Sequence, residues 1–134
     1  MFVIKWRLFT IGIIMRFKYR IKTDLEILQC IYAMCATDYP QKGEIFIPIN
    51  IDDISKRLNS HRELIFGRLY HDLNDKYGYK AKDGVSKSLF WRQKVGSDFI
   101  NFPLLGSIIA NLEQEKSKYV YSLGLSILAV IVSV

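Results

Sequence analysis

Acidic residues are missing from the first 22 positions of this 134-residue chain, and cysteine and histidine are scarce, with two of each. Cys30 and Cys35 are five residues apart, which fits neither a redox CxxC pair nor the common zinc-ligand patterns. On a helix those five steps separate the two directions by about 140°. They read as two buried or half-buried thiols in a reducing cytosol. His61 and His71 fall about 80° apart around a helix and do not make a metal pair. No GxGxxG, P-loop, HExxH or GxSxG motif occurs, so nucleotide-binding, zinc-protease and hydrolase signatures are absent. Asp52-Asp53 reads as a pair of first-turn acids that complement a helix dipole. The sequence assigns no catalytic residue, metal or cofactor, and an enzyme is not expected.

What is present is apolar. Hydrophobic residues make up 50% of the chain and charged ones 24%, which argues against disorder. The length suits one domain plus appendages. Mean hydropathy is +0.10, high for a soluble domain. The net charge of +6 is unevenly placed. Residues 1–22 carry Lys5, Arg7, Arg16, Lys18, Arg20 and Lys22, and over the rest of the chain bases and acids balance. Within that balance, residues 24–75 are net acidic, and residues 76–94 are basic through Lys76, Lys80, Lys82, Lys87, Arg92 and Lys94 against Asp83.

The segment 1–22 is the least readable. Leu8 to Met15 is an apolar run interrupted only by Thr10 and Gly12, far short of the ~20 residues a spanning helix needs. No A-x-A-like cleavage site follows, and Arg16 to Lys22 is the wrong flank for a secretory signal. Three readings stay open: a strand or helix of the fold, an interfacial anchor on anionic lipid, or a spurious extension with Met15 as the true start.

From residue 23 the element signals are clear. Thr23-Asp24-Leu25-Glu26 is a capping box, opening a helix with Leu25, Ile27, Leu28, Ile31, Tyr32 and Cys35 that is buried on most of its circumference. Tyr39 to Gly43 ends it in a turn. Glu44 to Ile49 suits a short or edge strand because of Pro48. Asn50 caps a second helix with Ile51, Ile54 and Leu58, broken at Asn59-Ser60. A second capping box, Ser60 to Glu63, opens a third helix to about Tyr77, with Ile65, Phe66, Leu69, Leu73 and Tyr77 as its stripe. Gly78 ends it as a left-handed cap. Turns at Asp83-Gly84 and Gly96-Ser97-Asp98 divide a small antiparallel meander, Val85 to Val95 and Phe99 to Phe102. Pro103 ends the sheet, and 104–118 returns to helical period as a connecting amphipathic helix. No internal repeat or low-complexity tract is found.

Residues 119–134 are sixteen without a charge. As a helix they measure about 24 Å against a hydrocarbon core of ~30 Å. Extended by the preceding helix, with Lys116 and Lys118 snorkelling and Tyr119 and Tyr121 in the interfacial belt, the segment is expected to be a C-terminal transmembrane helix. The competing reading is a core helix or strand, for which a domain of roughly 100 residues has little interior. The ending at Ser133-Val134 reads either as a carboxylate reaching the far interface or as a break within a longer protein's first span. Basic residues before the segment favour a cytoplasmic domain. Ser122 and Ser126, four apart around Gly124, would let two such helices pack closely, so a homodimer is a further expectation.

The order helix, short strand, helix, turn, helix, hairpin over about residues 23–103 resembles the winged helix-turn-helix domains of DNA-binding regulators. The resemblance is carried by Ile54-Ser55-Lys56-Arg57-Leu58-Asn59, followed by Ile65, Leu69 and Leu73. Ile54, Ser55, Leu58 and Asn59 fill the apolar, small, apolar and left-handed-turn roles, asparagine tolerating that turn. The sequence departs from the family in having Ser55 for alanine, a four-residue step from Leu69 to Leu73, and a long third helix. The resemblance implies an α+β fold, with a three-helix core and a small antiparallel hairpin or meander, binding double-stranded DNA. The third helix would be the recognition helix, with His61, Arg62, Arg68 and His71 facing a major groove. Lys80, Lys82, Lys87, Arg92 and Lys94 would neutralise phosphates from the wing. Glu63, Asp72 and Asp75 near the same helix face oppose this. The expected protein is therefore a membrane-tethered DNA-binding regulator with no small-molecule substrate. The alternatives are a non-catalytic module for a protein partner or the membrane surface, and a truncated membrane protein.

Overall fold

The computed structural model describes residues 2–18, 20–37 and 43–134, apart from the side chains of 2, 12 and 14–18. The chain is of mixed α+β type. The helices are α1 (Phe2–Lys18), α2 (Asp24–Cys35), α3 (Ile51–Leu58), α4 (Arg62–Gly67), α5 (Asn74–Tyr77) and α6 (Phe102–Ser133), with a π-helical segment, Arg68–Leu73, joining α4 to α5. The strands are β1 (Phe46–Ile49), β2 (Tyr79–Lys80), β3 (Ser86–Lys87), β4 (Phe90–Lys94) and β5 (Ser97–Asn101). One sheet has the order β1-β5-β4, all antiparallel, and β2-β3 is a separate hairpin.

Local signals set most of these boundaries. At α2 the Thr23 hydroxyl accepts from Glu26 N–H while the Glu26 carboxylate accepts from Thr23 N–H, a reciprocal capping box. Asn50 Oδ1 accepts from Asp52 and Asp53 N–H and starts α3. Asn101 Oδ1 accepts from Leu104 N–H and starts α6, with Pro103 in its first turn, where its missing N–H costs nothing. Pro103 therefore does more than end the sheet, and Phe102 is helical. Pro48 lies in edge strand β1, opposite Phe99. Ile47, Ile100 and Phe90 form one buried row across the three strands.

Some expectations are corrected. The third helix starts one residue later than the proposed box: His61 is its N-cap and makes no side-chain cap bond, while the Ser60 hydroxyl donates to Leu58 O. Gly78 has φ −67°, not a left-handed value. Glycine is needed there because a Cβ would lie 2.5 Å from Asn74 O. Helix α2 buries one face, Ile27, Leu28, Ile31 and Cys35, and leaves Tyr32 exposed and stacked on Phe102. The turn proposed at Tyr39 to Gly43 lies outside the described residues up to Lys42.

The four-residue step in the third helix has a structural cause. In the π-helical segment Asn74 N–H donates to Leu69 O, five residues back, and the widened turn brings every fourth residue onto one line. Ile65, Leu69 and Leu73 are all buried as a result. In a regular α-helix of about 3.6 residues per turn the same two steps would have turned Leu73 about 80° from Ile65.

The core comprises 17 buried apolar residues among those described, all between Ile27 and Ile109. Helix α6 contributes Phe102, Leu105, Ile108 and Ile109 and packs on α2. Beyond Leu112 it adds nothing to the core: every residue from Glu113 to Ser133 is exposed. The reading of 119–134 as a core element is thereby excluded. The expected spanning helix is corrected too, since no helix among the described residues is long and apolar enough to cross a membrane. The charge-free part inside α6, Tyr119 to Ser133, measures about 22 Å. The segments 104–118 and 119–134 are one continuous helix. At the other end, 2–18 is a helix rather than a strand, and all its described side chains are exposed.

Candidate nucleic-acid interface

Helix α3 and the third helix are joined by a turn at Asn59. Asn59 sits at φ 50°, ψ 48°, the left-handed region in which asparagine is among the few tolerated side chains. Its N–H donates to Ser55 O and Lys56 O, closing α3. Ser55 is buried, and its hydroxyl donates to Asp52 O at 2.8 Å. This polar side chain is thus satisfied although buried.

The arginines expected at the interface are committed elsewhere. Arg62 Nε lies 2.8 Å from Asp52 and ties the third helix to α3. Arg68 pairs with Asp24, donates to Lys22 O at 2.9 Å and lies 3.3 Å from Asp72. Burial opposes ionisation of Asp24, but hydrogen bonds from Lys76 and Arg68 outweigh it and hold that carboxyl below its ordinary value. Arg92 makes a two-point contact with Asp98, at 2.5 and 3.0 Å. Its guanidinium lies 3.9 Å over the Phe66 ring, and Asp98 is only 3% exposed. The hydrogen bond to Asp98 raises the Arg92 pKa. Arg68 and Arg92 are therefore tied into the fold, and Arg62 links α3 to the third helix through an exposed ion pair.

The lysines are placed differently. Lys80, Lys82 and Lys87 are exposed on and between β2 and β3, and Lys94 ends β4 beside the Gly96 turn. Among the described residues no carboxylate pairs with any of the four. Lys87 Nζ lies 5.6 Å over the Tyr79 ring. Gly84, at φ 82°, and Gly96, at φ 85°, supply the positive φ that these tight turns require. His61 and His71 are also exposed, the latter edge-on to Tyr70. On the third helix Glu63 and Asp75 remain exposed and unpaired among the described residues.

Two contributors escaped sequence reasoning. Asn74 Oδ1 accepts from Leu89 and Phe90 N–H, both at 3.1 Å, fastening the third helix to the start of β4. Its partners are 15 and 16 residues away, so no local pattern marks it. Lys56 was quoted within the turn motif without a role. It lines a cleft of about 530 Å³ beside the turn with Lys22, Ser60, His61, Leu64 and Arg68.

Burial pushes the Cys30 thiol above its ordinary value, which disfavours the reactive thiolate. No group of three or more His, Cys, Asp or Glu among the described residues is placed to hold a metal. In comparisons with known proteins, no family model, curated protein or solved structure matches this chain.

Proposed function

We propose that this protein is a winged-helix-like, non-catalytic DNA-binding module held at the cytoplasmic face of a membrane by the apolar end of α6, which inserts without crossing. The observed order of helix, edge strand, helix, left-handed turn, helix and hairpin supports the winged-helix part. The contact surface on DNA differs from the one first expected. With Arg68 and Arg92 held in ion pairs within the fold, Arg62 in an exposed pair with Asp52, and Glu63 and Asp75 exposed, the third helix is a poor phosphate ligand. The unpaired lysines Lys80, Lys82, Lys87 and Lys94 carry the reading, and they contact phosphates rather than base edges.

For the tether, the supporting observation is that Val120, Leu123, Leu125, Ile127, Leu128, Val130, Ile131 and Val132 are all exposed on one helix. Soluble proteins rarely leave so large a contiguous apolar surface uncovered.

Binding of duplex DNA by the full chain in mixed micelles, followed by fluorescence anisotropy over a salt series, tests the DNA reading. Four phosphate contacts give a log–log salt slope of about −3.6. Replacing all four lysines by alanine should abolish binding, and Arg92 is left intact because its loss would disturb the fold. Binding that persists in that variant refutes the assignment. A protein partner with a basic surface is the second reading, favoured by exposed Glu63 and Asp75; it predicts no DNA binding and loss of partner binding on their replacement.

A further inference from the structure

The helix α1 is the other place where apolar side chains stand in the open. Val3, Ile4, Trp6, Leu8, Phe9, Ile11 and Ile13 are all exposed, Trp6 by 65%. At about 100° per residue, Trp6, Phe9 and Ile13 fall within about 60° of one another. Lys5 and Arg7, the neighbours of Trp6, flank that aromatic face on its two sides. Thr10 Oγ1 donates to Trp6 O at 2.7 Å, so its hydroxyl presents no unsatisfied donor. No acid occurs anywhere in residues 1–22.

The linker to α2 is fixed to the domain: Arg20 pairs with Glu26, and Lys22 O accepts from Arg68. At the start of α2, Leu25 and Gln29 line one depression with Lys116, Val120 and Tyr121 of α6, and Gln29 donates to Glu113 at 2.6 Å. The start of α2 therefore lies beside the point where the charge-free end of α6 begins.

We infer that α1 is a second membrane element, lying in the interface of the same bilayer and selecting anionic phospholipid. The inference rests on the membrane tether proposed for α6. The Trp6 face enters the acyl boundary, where tryptophan favours the headgroup level. Ile4, Leu8 and Ile11 lie beyond the two cations, so the helix sinks until Lys5 and Arg7, on long aliphatic stems, still reach the lipid phosphates. An apolar helix with a few basic residues gives only reversible attachment, and it becomes firm when joined to a second anchor. With α1 and the outer part of α6 both attached, the domain is held to the surface at two places.

The test uses the full chain with Trp91→Phe, leaving Trp6 as its single tryptophan, mixed with vesicles of phosphatidylcholine alone or with added phosphatidylglycerol. The lipids are brominated either near the headgroup or deep in the chain. Trp6 emission should shift to the blue and be quenched most by shallow bromines, only where phosphatidylglycerol is present. Lys5→Glu with Arg7→Glu should weaken that docking at least about tenfold while the protein still sediments with vesicles. Protein that sediments while Trp6 stays open to iodide in both lipids overturns the role of α1 and leaves the α6 tether standing. Equal quenching with and without phosphatidylglycerol overturns the lipid selectivity. Shielding from iodide without bromine quenching identifies a second protein copy as the cover instead of lipid. Failure to sediment at all removes the tether, and this inference with it.

Discussion

The two halves of α6 resemble each other in sequence and differ completely in surroundings. Phe102 to Ile109 supplies Phe102, Leu105, Ile108 and Ile109 to the core, whereas Tyr119 to Ser133, richer still in Leu, Ile and Val, meets none of it. The first half is apolar on one stripe because α2 and the sheet offer a surface only on that side. The second half is apolar all round, which no single face of a small domain could cover. Apolar content thus says that a helix must be covered, while the circumference of its apolar surface indicates by what. α1 belongs with the second half of α6 by the same criterion.

That contrast can be broken most forcefully in the core. Leu69→Ala, at a fully buried position in the π-helical segment, should cost about 3 to 5 kcal/mol in denaturant unfolding. Leu125→Ala, in the exposed half of α6, should change domain unfolding by less than about 0.5 kcal/mol; a larger loss would mean that the two halves are not separate. Next in size is Arg92→Ala, which strands the buried Asp98 carboxylate. It should cost about 3 kcal/mol, visible in the same unfolding curves. Gly78→Ala forces a Cβ against Asn74 O and should cost about 1 to 3 kcal/mol, loosening the joint between the third helix and β4.

The smallest effect is one of pH. Glu26 is held down to about 2, from an ordinary 4.5, chiefly by its hydrogen bond from Arg20 and then by that from Thr23 N–H. A depressed carboxylate stabilises the folded state at pH above its unfolded value and loses that contribution as the pH falls through its folded value. The start of α2 should therefore weaken between pH 4.5 and about 2, seen as faster amide exchange in its first turn. Glu26→Gln should weaken that turn already at neutral pH and flatten the acid response.

Much of this was legible in the residues, because capping is local. Thr23 with Glu26, Asn50 before Asp52-Asp53, and the left-handed Asn59 each depend on neighbours within three or four positions. The helix order and edge strand β1 followed from period and from Pro48. What failed depended on distance. Arg68 was read only as a candidate for phosphate or base contact, because its ion-pair partner Asp24 is 44 residues away. Arg92 and Asp98 face each other across β4 and β5, a pairing fixed by strand register, which sequence leaves open. The four-residue step from Leu69 to Leu73 was visible as a departure, but its cause, a widened helical turn, was not. The lysines were read correctly as exposed because nothing opposes solvation of a lysine in a short hairpin.

The central claim is that the outer half of α6 belongs to a membrane and not to the domain. It is tested most directly by comparing the full chain with one ending at Lys118, each sedimented in high salt with vesicles of phosphatidylcholine alone, which offer α1 no anionic lipid. The account predicts that the full chain sediments. The shortened chain should stay in solution and unfold with the full chain's cooperativity and midpoint. A full chain that stays in solution, or a shortened chain that no longer folds, would contradict it.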